Sequence, residues 1–242
     1  LTGRDAYENA YSAASVMAGA PKVANTALVK PEQVTALELG YRGQYDSFSL
    51  DISGYYNQYS DFIANSTVLV PKYGKAGDGA LSLLALVNGD YQPFQAYTNS
   101  SADVSSYGLN IGMDTTVEDF DFGFNYTFSA FEFDKSSDPD FEAGFNTPKH
   151  KFKAYLGAEN LTDNIGFNIN YRWSDSYLWQ ASFADGTVPS YSVVDMQVNY
   201  TVPDSKTVLK LGAANLFNEE YFSAIGTGNV GAQYYISLMF NN

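Results

Sequence analysis

Phe120-Asp121-Phe122-Gly123-Phe124-Asn125-Tyr126-Thr127-Phe128 decides the fold. Aromatic rings take every second position and Asp, Gly, Asn and Thr fill the gaps, a period of two that a β-strand presents as two faces. In water, so many aromatics on one face would need a covering layer; hydrocarbon covers such a face without one. The stretch therefore reads as a strand with one side in lipid and the other in a polar interior.

The same alternation recurs on both sides of it, in segments of about ten residues. Upstream, Leu37, Leu39 and Tyr41 alternate with Glu38, Gly40 and Arg42, then Phe48, Leu50 and Ile52 with Ser49, Asp51 and Ser53, then Tyr107, Leu109 and Ile111 with Ser106, Gly108 and Asn110. Downstream, a weaker row at Phe152, Ala154 and Leu156 is followed by Ile165 to Trp173, Val194 to Tyr200, Leu209 to Ala213 and Tyr234 to Phe240. About nine strands result.

Their connections alternate short and long. The short ones fall at 44–47, 115–119, 160–164 and 201–206, the long ones at 60–97, 134–150, 176–190 and 216–231. Outer-membrane barrels combine short periplasmic turns with longer extracellular loops, whereas a soluble Greek-key sandwich has no reason to alternate so regularly. Short turns inside make the first and last strands run toward the periplasm. Closure with an even number of strands then implies an odd number upstream.

Composition agrees. The chain of 242 residues has 20 Tyr, 17 Phe and 20 Gly but only 17% charged residues, a balance suited to aromatic, turn-rich β-structure. With 13 basic and 27 acidic residues its net charge is −14, which argues against a nucleic-acid partner, since a phosphate backbone is bound by clustered cations. The absence of Cys removes disulfides, thiolate metal sites and thiol nucleophiles. No apolar run reaches the ~18 residues of a spanning helix.

The expected fold is all-β, a membrane-spanning antiparallel up-and-down β-barrel, with about nine strands in residues 31–242. Residues 1–30, which lack the features of a signal peptide, read as the end of a truncated extracellular loop with room for a short Ala-rich helix.

Several motifs resemble the TonB-dependent receptors of Gram-negative outer membranes. Leu28-Val29-Lys30-Pro31-Glu32 with Leu37-Glu38-Leu39-Gly40-Tyr41 resembles their LKPE…ELGY start of a late strand, and Asn146-Thr147-Pro148-Lys149-His150 is similar to their N-x-P-x-H segment. Leu211-Gly212-Ala213-Ala214-Asn215-Leu216-Phe217-Asn218-Glu219-Glu220-Tyr221 matches LGxxNLFNxxY, the most specific of the set. Tyr234 to Phe240 resembles the final strand, in which Phe240 would be the aromatic assembly signal, here followed by two asparagines.

The resemblance implies the C-terminal part of a probable 22-stranded barrel with a plugged lumen. It implies active uptake of a scarce nutrient, a ferric siderophore first and otherwise a glycan or peptide, with energy from the TonB complex acting through N-terminal regions outside this chain. Implied partners are outer-membrane lipid, the barrel-assembly machinery and the small nutrient ligand; no cofactor is implied. The competing readings are a passive porin-like channel, a barrel enzyme and a soluble β-rich adhesin.

An enzyme would need a constellation built on His150, the sole histidine, which reads instead as a strand-start residue at the outer rim. No catalytic residue and no metal ligand is assigned. Asp134, Asp138, Asp140 and Glu142 lack the ordered spacing of a calcium loop and read as a solvated hairpin tip. Asn215-Leu216-Phe217-Asn218 reads as turn chemistry. The ligand-binding candidates are the inward, upper-wall residues Tyr55, Asn57, Asn170, Arg172, Tyr191 and Tyr235, with Tyr91 and Phe94 from the longest connection, expected as a mobile aromatic loop over the pore. Tyr41, Phe48, Tyr200 and Phe240 would form the periplasmic aromatic girdle, and Tyr56, Tyr107, Tyr171, Trp173 and Tyr234 the extracellular one.

Overall fold

A computed structural model describes residues 1–24, 26–181, 184–205 and 207–240; Asn25, Lys206 in the last short turn, Ser182 and Phe183 in the third long connection, and the two terminal asparagines lie outside them. Helices α1 (Asp5–Glu8) and α2 (Ala13–Met17) flank strand β1 (Tyr11–Ser12). Next come β2 (Gln33–Tyr45), β3 (Phe48–Ser60), β4 (Ile63–Pro71), α3 (Ala80–Val87) and β5 (Tyr91–Asn99). They are followed by β6 (Val104–Val117), β7 (Phe120–Phe133), β8 (Phe141–Glu142), β9 (His150–Thr162) and β10 (Ile165–Ser174). The order ends with β11 (Tyr177–Ala181), β12 (Ala184–Val188), β13 (Tyr191–Thr201), β14 (Thr207–Ala214) and β15 (Gln233–Phe240).

Among the described residues, nine strands make one antiparallel sheet in the order β15-β14-β13-β10-β9-β7-β6-β3-β2. Neighbours in sequence are neighbours in space, as an up-and-down wall requires. These are the nine segments that alternate in the sequence, so the local period alone places them. On strands paired on both sides, the outward Leu109 of β6, Phe122 of β7 and Leu211 of β14 remain 36%, 38% and 51% exposed. In water such an apolar face would be an aggregation surface; in a bilayer it is the contact with the acyl chains.

The register also fixes the tilt. Arg42, Asp51, Gly112, Asn125, Lys153 and Arg172 lie opposite one another in a single lateral row across six strands. The row begins near the turn end of β2 and finishes near the loop end of β10. A line at right angles to the strands thus climbs from one rim toward the other, which is the stagger of a tilted barrel wall.

On the inner face three tyrosines share one device. Tyr55 lies opposite Gly108, Tyr155 opposite Gly123 and Tyr235 opposite Gly212. A Cβ added to any of these glycines would collide with the facing ring, so each ring lies down over the bare backbone of the next strand. Two of the rings reach one strand further: Tyr155 donates to Asp114 Oδ1 at 3.0 Å and Tyr235 to Gln197 Oε1 at 2.9 Å. Since Asp114 pairs with Gly123 and Gln197 with Gly212, each tyrosine ties three strands in one register.

The connection expected as a mobile loop at 60–97 is folded. β4 and β5 form a hairpin capped by α3, joined on the β4 side by β1 and β8 into a second sheet. Alternate residues of β4 enter two cores: Val68 and Val70 pack with Ala6, Ala10 and Ala96, while Leu69 packs with Tyr11, Ala13, Ala76 and Leu86. A strand buried on both faces shows no polar alternation, which is why the sequence reads as a loop there. A third cluster of Ala64, Val104 and Phe141, with Tyr59, Phe62, Phe131 and Phe133 against it, seats this small sheet on the rim of the wall. In the third long connection β11 and β12 form a further short hairpin.

Candidate functional site

The inner wall is concave around the lateral row, enclosing about 760 Å³ lined by Arg42, Asp51, Lys153, Tyr155, Asn170, Arg172 and Asp195 among others. Alternation turns these polar side chains inward because their neighbours in sequence face outward. At the turn end the charges pair: Arg42 Nη2 lies 2.5 Å from Asp51 Oδ2.

At the loop end the charges are less balanced. Lys153 sits directly opposite Arg172, and Lys151 sits on the same face between Thr127 and Ser174. Like charges facing across a strand pair cost stability. Among the described residues neither lysine forms an ion pair, and Arg172 has one carboxylate, Asp195 Oδ1, at 3.6 Å. Arg172 also donates to the Tyr221 hydroxyl at 3.4 Å, while its Nε is buried with no hydrogen-bond partner among the described residues. Tyr221 stacks on Tyr191 with centroids 4.4 Å apart and planes inclined by 23°.

Asn215 builds this corner. It adopts a positive φ of 56° and its backbone N–H donates to Asp195 Oδ1 at 2.8 Å. Its side chain donates to Glu219 O at 2.8 Å and accepts from Glu219 N at 2.9 Å, folding the chain back so that Tyr221 reaches the wall. The Asn-Leu-Phe-Asn segment is thus a turn whose product is the position of Tyr221.

Of the sequence candidates, Asn170, Arg172 and Tyr191 come together here, with Asn170 also bonded to Asn168. Asp195, Tyr221 and Lys153 join them unannounced, although Tyr221 closes the LGxxNLFNxxY match and was legible in it. Tyr55 and Tyr235 cover glycines elsewhere on the wall, and Asn57 donates to Ser106 Oγ at 3.2 Å. Tyr91 and Phe94 are partly buried, packed against the two cores of the small sheet. Phe240 pairs with Thr207 and projects outward, 71% exposed.

His150 takes a hydrogen bond at Nδ1 with the Tyr126 hydroxyl, 2.7 Å away, and lies beside the Tyr126 and Phe128 rings on the outward face. The acidic run in the second long connection ties its loop both to itself and to neighbouring segments. Asp134 accepts from Ser136 and Ser137, Asp138 from Ser100 and Asp140 from the Ala14 backbone. Among the described residues no group of His, Cys, Asp or Glu is arranged to hold a metal.

Those bonds set opposite pH responses above the wall. The hydroxyls of Ser136 and Ser137 hold the Asp134 carboxyl below its usual range, so its contribution to folding is present above that range and lost as pH falls through the lowered value. Glu142 on β8 is pushed up, chiefly by burial, with Asp185 adding to the rise and the Thr67 hydroxyl opposing it. A raised carboxyl stabilises the fold below its ordinary value and ceases to do so as pH rises through the raised one. Amide exchange in the β4–β8 pairing, corrected for intrinsic rates, should therefore be slower at about pH 4 than at pH 7. Glu142→Gln should remove most of that difference; an unchanged difference would show that another group controls it.

The arrangement is that of a barrel wall with a cationic corner near its loop rim, and comparisons with known proteins bear on the wall. The family model for the TonB dependent receptor-like β-barrel matches residues 3–218. The pyoverdine outer membrane receptor FpvA of Pseudomonas aeruginosa superposes with a TM-score of 0.63 at 14% identity, over 89% of this chain and 30% of that one. The FrpB iron transporter of Neisseria meningitidis gives 0.61 at 13%, over 87% and 31%. The siderophore receptor PirA of Acinetobacter baumannii gives 0.56 at 21%, over 87% and 32%. At these identities the likeness is one of fold, and the chain spans under a third of each solved protein. With the family's strand motifs, its barrel model and its wall topology all present, this chain belongs to the TonB-dependent receptor family and forms part of its β-barrel.

Proposed function

We propose that the whole receptor imports an anionic metal chelate, a ferric siderophore first among them, across the outer membrane of a Gram-negative bacterium with energy delivered by TonB. The observation that carries this reading is the corner of Lys151, Lys153 and Arg172 on the inner wall. A chain of net charge −14 that sets Lys153 directly opposite Arg172, with Lys151 on the same face and one carboxylate paired to Arg172, is accepting a like-charge penalty, and an anionic ligand removes it. Siderophore and iron receptors among the structural neighbours support the same ligand class. Asn170, Arg172 and Tyr191 are the ligand contacts in this reading, with Lys153 and Tyr221 added to them. Lipid surrounds the Leu37 and Leu211 face, the barrel-assembly machinery reads the Phe240 end, and TonB acts through regions outside these residues.

Lys151 and Lys153 can be neutralised without breaking a pair, so the test is clean. In the full-length receptor, the Lys151→Gln, Lys153→Gln double variant should reach the outer membrane at normal abundance yet bind an anionic ferric chelate about tenfold or more weakly, the equivalent of ~1.4 kcal/mol. The loss should shrink as salt is raised. Unchanged affinity would remove the electrostatic basis of the proposal, and uptake that persists without TonB would make the protein a passive channel.

A further inference from the structure

We propose a second binding site, in the small extracellular sheet, for a small zwitterion such as an α-amino acid or dipeptide. A cavity of about 450 Å³ lies between residues of the 12–24 segment with Thr26, β4, the end of β5 and the 137–140 turn. That volume falls within the roughly 300–1,000 Å³ of small-molecule pockets. Four stretches remote in sequence build it, and their own hydrogen bonds make its walls firm. Ser15 Oγ donates to Ser12 O at 2.8 Å and accepts from Lys22 N at 2.9 Å, fixing the backbone of Lys22 at the rim. Asp140 Oδ1 accepts from Ala14 N at 2.7 Å, and Asp138 Oδ2 from Ser100 Oγ at 2.8 Å.

Each carboxylate uses one oxygen in this way and keeps the other for a further donor. Lys22 shares the cavity with both yet forms no ion pair among the described residues. A cation and two carboxylates held apart in one cavity are complementary to a ligand that carries both signs, its ammonium toward Asp138 and Asp140 and its carboxylate toward Lys22. The hydroxyls of Ser66 and Thr98 line the space between with donors and acceptors. Among the described residues no aromatic ring lines it, which disfavours planar chelates and sugar rings that bind by stacking, and its small side chains suit a ligand with little apolar bulk. The site uses none of the residues of the cationic corner, so it stands whether or not that corner binds a chelate.

The test uses the full-length receptor in detergent, titrated with glycylglycine by calorimetry and by saturation-transfer NMR. Saturable binding to one site is expected, with acetate and ethylamine each at least about tenfold weaker because they satisfy one sign only. Lys22→Gln and Asp140→Asn should each weaken glycylglycine about tenfold or more, Asp140→Asn keeping an acceptor for Ala14 N. Ala18→Trp, at an exposed lining position, should abolish binding by filling the cavity, while Lys75→Gln outside it should change nothing. Absence of saturable binding, equal binding of acetate or ethylamine, or an Ala18→Trp receptor that binds like wild type would each overturn the assignment.

Discussion

Leu211→Arg should destabilise the assembled barrel by about 2–4 kcal/mol if its position is near the bilayer midplane, whereas Lys210→Gln next to it should cost little. Leu211 lies between Val198 and Ile236 on the outward face and is 51% exposed, on the side that the proposed membrane setting turns to hydrocarbon. Lys210 lies between Asn199 and Ser237 on the inward face, where water screens its charge. A guanidinium at 211 must bend toward the headgroups or draw water into the bilayer. Urea titration of the full-length receptor refolded into liposomes reads the difference, and equal sensitivity at the two positions would refute the lipid-facing assignment of β14.

The second large effect is expected at Gly166. The β9–β10 ladder slips between Ile165 and Phe167, and Gly166 sits in that irregularity with its Cα against the Glu159 carbonyl. A methyl group there would overlap the backbone oxygen, which has no rotamer by which to retreat, unlike the tyrosine rings over Gly123 and Gly212. Gly166→Ala should therefore cost at least the ~1–3 kcal/mol typical of overpacking. Gly40→Ala, whose Cβ would find its nearest neighbours at 3.7 Å, should cost less than half as much. Comparable losses in the same refolding assay would mean that β9 can shift to absorb the methyl.

These contrasts show which parts of the molecule were legible beforehand. The nine wall strands each carry their own two-faced pattern, because lipid on one side and a polar lumen on the other impose it residue by residue. The small sheet carries no such pattern. Ile63 to Pro71 meets a core on either side, and α3 is apolar almost throughout, with Leu81, Leu84 and Val87 exposed. For the site, inward polarity sufficed to mark Asn170 and Arg172, but not to sort them from Tyr55 and Tyr235. That distinction depends on which residue stands opposite, and register is a relation between strands that one strand's sequence does not state. Asp195 and Tyr221 required the Asn215 turn as well, a backbone reversal set by one positive-φ residue and its hydrogen bonds to Glu219.

The three-strand span of the inward tyrosines has a mechanical consequence. If the wall were drawn out from its last strand, β15 could not peel away from β14 alone, since Tyr235 is also fastened to Gln197 on β13. Tyr155 imposes the same condition farther along, where β9 is held to β7 by the ladder and to β6 through Asp114. Under tension such a wall would yield in steps of paired strands, and the glycines beneath the rings, which look like gaps in the inner surface, are the sockets that let each ring act as a cross-brace.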